Sequence, residues 1–256
     1  MAGSSVFRLF YFLAFGMMAK KIFYRKIYLG FFLCLVNTFG LAQVDIGIKG
    51  GGHVSQVLFE PNIGLNFDFL PGIETGIVAK VSANPNVALQ AELNFSQKGW
   101  IEDMRSPSDP QEIFNLERTQ TFRYNYLQVP ILTHIYVGGE KFKVFLNLGP
   151  HFALLMGADS SRSADAQETD IAAYRYESST AVNFEYGVTA GAGINFTIGK
   201  STFQAEARLT QGLNNIVNRD SQNAPTASLN QVAGVSLTYF FRLKDKKEKA
   251  DVEESP

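Results

Sequence analysis

Cysteine occurs once in 256 residues, at Cys34, which excludes an intramolecular disulfide and any cysteine-built metal cluster. Charge is also scarce. Asp, Glu, Lys and Arg make up 18% of the chain, against roughly a quarter of an average soluble domain. Neither sign dominates: 23 Lys and Arg oppose 24 Asp and Glu, for a net charge of -1. That balance argues against a nucleic-acid partner, because such binders carry a basic surface. Beyond residue 42, no apolar run approaches the roughly 20 residues that a spanning helix needs. His53, His134 and His151 are the only histidines, and they lie on separate segments without HxH or HExxH spacing. No metal site and no cofactor is expected. Aromatics, by contrast, are plentiful, with 22 Phe and 10 Tyr, as in strand-rich chains.

The first 42 residues read as an N-terminal extension and a cleavable export signal. Lys20, Lys21, Arg25 and Lys26 supply a basic start, Ile27 to Val36 an apolar centre, and Gly40-Leu41-Ala42 a small-x-small cleavage site. The apolar run is too short for a retained membrane anchor. The preceding stretch "VFRLFYFLAFGMM" fits a translation start at Met18, which would leave an ordinary signal. The mature chain then begins at Gln43.

From there, apolar and polar residues alternate in eight segments. In "STFQAEARLT", Phe203, Ala205, Ala207 and Leu209 alternate with Gln204, Glu206 and Arg208. The same period of two recurs from Val44, Ile73, Val87, Leu127, Val144, Phe184 and Val235, and it predicts half-buried strands. Tight turns at Asn84-Pro85-Asn86, Gly138-Gly139-Glu140 and Gly199-Lys200 alternate with longer polar connections near 55–70, 101–120, 159–180 and 213–229. An exported chain with short turns on one side and long loops on the other follows the plan of an outer-membrane barrel. The expected fold over residues 43–241 is therefore all-β: an eight-stranded antiparallel up-and-down transmembrane barrel with short periplasmic turns and four longer extracellular loops. A periplasmic sandwich or lipocalin-like barrel would show the same alternation turned inside out. The export signal, the loop asymmetry and strands of about ten residues favour the membrane form. Residues 242–256, "RLKDKKEKADVEESP", form a charged tail with too little apolar content to pack, expected to be a disordered periplasmic extension.

Eight strands enclose a space that side chains fill. Single charges there are costly and should pair. Lys49, Glu74, Lys80, Glu92, Glu185, Glu206 and Arg208 are accordingly expected to form a lumenal polar network that closes the barrel to all but water and small ions. Trp100, Tyr126, Tyr136, Tyr239 and Phe241 are expected at the lipid–water interfaces as an aromatic girdle.

Catalytic signals are absent or only apparent. "GINFTIGKS" has five residues between Gly193 and Gly199 where a P-loop needs four, and a strand follows instead of a helix. Glu92 and Glu206 share the lumen and are expected to be structural. His151 and Asp159 lie near a long loop, but no nucleophile accompanies them.

Five segments together resemble the PorT-like family of outer-membrane β-barrel proteins from Bacteroidota: "IGIKGG" at 46–51, "LQAELNFSQKG" at 89–99, "YLQVPIL" at 126–132, "LNLGPHFALLMGA" at 146–158 and "QGLNNI" at 211–216. The resemblance implies a barrel in the outer membrane of a Gram-negative bacterium. Its partners would be outer-membrane lipid, the barrel-assembly machinery during insertion, and secretion or envelope proteins. The family's namesake serves type IX protein secretion. The expected function is thus that of a non-catalytic structural or interaction component of the envelope, in one version an accessory of type IX secretion. The alternative is a porin-like small-solute channel or ligand-binding barrel.

Overall fold

Once one face of a strand is committed to lipid and the other to an interior, its rotation and register are set. The computed structural model describes residues 42–60, 66–82, 84–103, 119–163, 181–218 and 226–244. Within them lie β1 (Gln43–Glu60), β2 (Asn66–Asp68), β3 (Leu70–Ser82), β4 (Val87–Asp103), β5 (Thr119–Gly138), β6 (Phe142–Arg162), β7 (Phe184–Ile198), β8 (Ser201–Gly212) and β9 (Ala227–Lys244). The eight long strands each pair antiparallel with their chain neighbours. β9 closes the cylinder on β1, with Ile48 opposite Tyr239 and Gln56 opposite Gln231. β2 is a three-residue addition on the loop end of β4. The expected eight-stranded up-and-down barrel is therefore the fold. The export segment and the tail lie outside the described residues.

One end carries the tight connections β3–β4, β5–β6 and β7–β8. Gly199, at a φ of 59°, makes the two-residue turn into β8, a conformation that favours glycine. Several strands continue into stretches expected to be loops. β1 runs on to Glu60 and β6 to Arg162, because the interior at that height offers apolar packing to Val57 and Phe59.

Alternation changes meaning along the barrel. Over most of its height the outward residues are apolar: Leu237 is 70% exposed, Leu209 64% and Phe203 51%. Gln204, Glu206 and Arg208 point inward and are buried. Towards the loop end the outer wall turns polar. The side-chain amides of Gln56, Gln231 and Gln211 form a ladder across β1, β9 and β8, Gln56 Nε2 donating over 2.8 Å and Gln231 Nε2 over 2.9 Å. A second ladder crosses β4, β5 and β6: Gln97 Nε2 donates to Asn125 Oδ1 at 3.2 Å, and Asn125 Nδ2 to Asp159 Oδ2 at 3.4 Å. At this level the interior takes in aromatic rings, with Phe122, Tyr124 and Tyr126 pointing inward from β5 beside the buried Lys98 of β4.

The amide ladders mark the upper edge of the lipid band. From Gln231 to Phe241 on β9, ten residues at about 3.4 Å rise and about 40° tilt span roughly 26 Å, close to the ~25 Å apolar band of outer-membrane barrels. Beyond it the barrel projects with a mixed outside, where Leu58 and Leu213 are exposed beside polar residues, and a mainly aromatic inside that also buries Glu102 and Gln120. An arginine at Ala207, mid-wall, is accordingly expected to destabilise the barrel by about 2–4 kcal/mol in lipid vesicles, and one at Gln211 by about 1 kcal/mol or less. Equal costs in urea titrations of the two variants would place the boundary elsewhere.

Candidate functional site

The lumen holds the chemistry, and it is filled in layers. The middle layer is built around Arg208 of β8. Its guanidinium engages two carboxylates at once. Nη1 and Nη2 donate to Glu92 at 2.8 and 2.6 Å, while Nε and Nη2 donate to Glu206 at 2.9 Å each. The planar fork matches carboxylate geometry twice over. Lys49 of β1 pairs with Glu92 at 3.0 Å and also with Glu74, whose carboxylate lies 3.9 Å from Arg208. Amide side chains satisfy the remaining lone pairs. Gln90 and Asn94 donate to Glu92 at 2.7 Å each, and Asn147 and Gln204 to Glu206 at 3.0 and 3.2 Å. Room for this cluster comes from Gly191 on β7, where a Cβ would sit 2.1 Å from Glu206 Oε1.

His134 continues the network towards the turn end. It donates from Nδ1 to Asn147 Oδ1 at 2.7 Å and accepts at Nε2 from Asn195 at 3.2 Å, which fixes a neutral tautomer.

The layer above is separate. Lys98 Nζ donates to Glu185 Oε1 at 2.8 Å, with the Tyr126 ring centroid 5.0 Å from the ammonium. Asn230 donates to the other oxygen of Glu185 at 2.5 Å. His151 Nε2 faces Glu185 Oε1 at 3.3 Å, and Thr189 Oγ1 lies 3.1 Å from His151 Nδ1. Hydroxyl, imidazole and carboxylate thus stand in a relay order. Thr189, His151 and Glu185 are each 1% exposed or less, so the relay acts as a buried hydrogen-bond chain that orders the strands rather than one that meets a substrate.

The top layer is apolar. Trp100 stacks on Phe122 at 4.8 Å and meets Phe59 edge-on at 5.3 Å and Tyr124 at 5.6 Å. Ile216 and Val217, just past β8, pack onto this cluster. They are held there by backbone bonds from Val182 to Ile216 and from Ile216 to Ser228, and by the Ala181–Val217 bridge.

Of the residues singled out in the sequence, the barrel brings Lys49, Glu74, Glu92, Glu206 and Arg208 together. Glu185 stands apart, with Lys98 and His151. Lys80 is buried but lies over the Phe240 ring, 4.0 Å from its centroid, rather than in an ion pair. Lys98 was missed, although its inward parity with Glu92 was legible. The expected aromatic girdle is corrected at three positions. Trp100, Tyr126 and Tyr136 are 0, 1 and 8% exposed and point inward. They sit at even positions of β4 and β5, in phase with Glu92 and Gln128, and parity overrides their preference for an interface. Tyr239 and Phe241 do face outward, at the turn end, 39 and 47% exposed. Among the described residues, no group of three or more His, Cys, Asp or Glu is placed to hold a metal ion.

Residues 36–218 match the family described as "Outer membrane protein beta-barrel domain". No curated protein matches the chain. Solved structures similar to it include the attachment invasion locus protein Ail of Yersinia pestis, with 11% identity and a TM-score of 0.39 over 77% of this chain and 98% of that one. OprG of Pseudomonas aeruginosa shows 11% identity and a TM-score of 0.40 over 77% and 93%. Neisserial surface protein A shows 9% identity and a TM-score of 0.38 over 75% and 95%. A family match over more than half the chain, on a closed barrel with an apolar outer band, puts this protein in the outer membrane of a Gram-negative bacterium, embedded in its lipid. The chain belongs to the outer membrane protein beta-barrel domain family.

Proposed function

We propose that this barrel is a non-catalytic, non-conducting interaction component of the cell envelope, which works through the connections at its loop end. The observation that carries this reading is the filled lumen. A doubly bidentate arginine, a Lys98–Glu185 layer and an aromatic layer follow one another along the axis, and a pore needs all three displaced. The strands that continue past the amide ladders hold the loop ends clear of the lipid band, where a partner can reach them. The five segments that resemble PorT-like barrels support the finer version, an accessory of type IX secretion in a member of the Bacteroidota.

Two measurements test the proposal. In planar bilayers the purified barrel is expected to give no conductance steps, and steady single-channel openings would replace this reading with that of a small-solute channel. Purification in mild detergent from the native envelope tests the finer version. Stoichiometric recovery of secretion subunits supports it, and recovery of the barrel alone removes it.

A further inference from the structure

We propose that the turn-end mouth of the barrel binds a single oxyanion, a phosphate or carboxylate group, between Lys80 and Lys143. Both ammonium groups lie over aromatic rings. Lys80 Nζ is 4.0 Å from the Phe240 centroid, and Lys143 Nζ is 4.5 Å from that of Tyr136. Among the described residues, no carboxylate lies within 4.0 Å of either. The carboxylates of the lumen are engaged elsewhere: Glu74, Glu92 and Glu206 with Lys49 and Arg208, and Glu185 with Lys98.

Charge at this end is unbalanced. Lys80, Lys143 and Arg242 act on one another across the mouth, and the carboxylates facing them there are Asp45 and, beside Lys143 only, Glu140 on the exposed β5–β6 turn, so three cations meet two carboxylates. Asp45 is already shared with Arg242 at 3.5 Å and accepts from Gln43 Nε2 at 2.8 and 3.0 Å. Glu206, the next carboxylate inward, is taken by Arg208. The middle layer shows the opposite balance, three carboxylates against two cations. Lys80 is only 5% exposed, and a buried charge without a partner is costly. An anion entering from the turn side would supply that partner. Lysine binds phosphate as a point charge without demanding bidentate geometry.

The anion has two available sources. One is a diffusible phosphate or carboxylate. The other is the chain itself, since the twelve residues after Lys244 carry Asp245, Glu248, Asp251, Glu253 and Glu254.

The experiment follows the lysine Nζ signals by NMR in zwitterionic micelles at low salt while inorganic phosphate is added to the full chain and to a variant ending at Lys244. Saturable shifts at Lys80 are expected, with affinity falling about tenfold or more in Lys80→Met and in Lys143→Met, and unchanged in Lys200→Met on the exposed β7–β8 turn. Equal affinity of the two chain lengths identifies a diffusible anion. Tighter phosphate binding by the shortened chain identifies the tail as the resident occupant. Absence of saturable binding in both, or full affinity in Lys143→Met, overturns the proposal, the latter even if Lys80→Met fails to fold.

Discussion

Replacing Arg208 by methionine is expected to lower the stability of the barrel by about 3–5 kcal/mol, the cost of stripping one partner from a buried ionic cluster. Arg208 supplies four charge-assisted hydrogen bonds, to Glu92 and Glu206. Without it, Glu74, Glu92 and Glu206 share Lys49 as their one cation within the layer. The loss is best measured as a shift in urea midpoint for refolding into lipid vesicles. Arg208→Lys is expected to be intermediate, because an ammonium cannot serve two carboxylates bidentately. Adding Glu92→Gln to Arg208→Met should recover a substantial part of the loss, since one orphaned charge is then removed. A midpoint within about 0.5 kcal/mol of wild type in the single variant would mean that water solvates this layer and that it is not a seal.

The second large effect is expected at Trp100. Trp100→Ala removes the centre of the aromatic layer and should cost about 3–5 kcal/mol, as large-to-small changes do in packed cores. Tyr239→Ala, on the outer wall, should cost about 1 kcal/mol, because its contacts are a 5.3 Å ring approach to Phe203 and a 2.9 Å hydroxyl contact with Ser201. Trp100 is the only tryptophan, so its fluorescence reports the site directly. Facing inward with 0% exposure, it should resist quenching both by brominated lipid chains and by iodide in solution. Strong quenching by brominated lipid would return it to the lipid interface and dissolve the aromatic layer as described.

The two predictions concern residues that differed greatly in how legible they were. Arg208 declared itself by parity: it lies in phase with Gln204 and Glu206, opposite Phe203 and Leu209, and eight strands leave little room for an unpaired guanidinium. Trp100 was misjudged because an aromatic at the end of an alternating strand satisfies either location. Parity with Glu92 and Lys98 contained the answer, but only the inward Phe59 of β1 and Phe122 of β5 gave it something apolar to pack against. Lys80 was grouped with the other charges on its inward parity alone. Its height near the turn end separates it from their layer.

Taken alone, the sequence determined the export signal as an expectation, the strand count, the alternation of short and long connections, and which face of each strand meets lipid. These are local properties: a period of two assigns faces without knowledge of any partner. Tertiary structure alone decided who pairs with whom. Glu92 and Arg208 are 116 residues apart, and Lys98 and Glu185 are 87 apart. Such pairs exist because closure of β9 on β1 and of β4 on β5 fixes the height of every inward side chain relative to all the others. The same closure decided that the ionic layers sit mid-barrel between an aromatic cluster at the turn end and a larger one at the loop end, a layering along the barrel axis that alternation along any single strand does not specify.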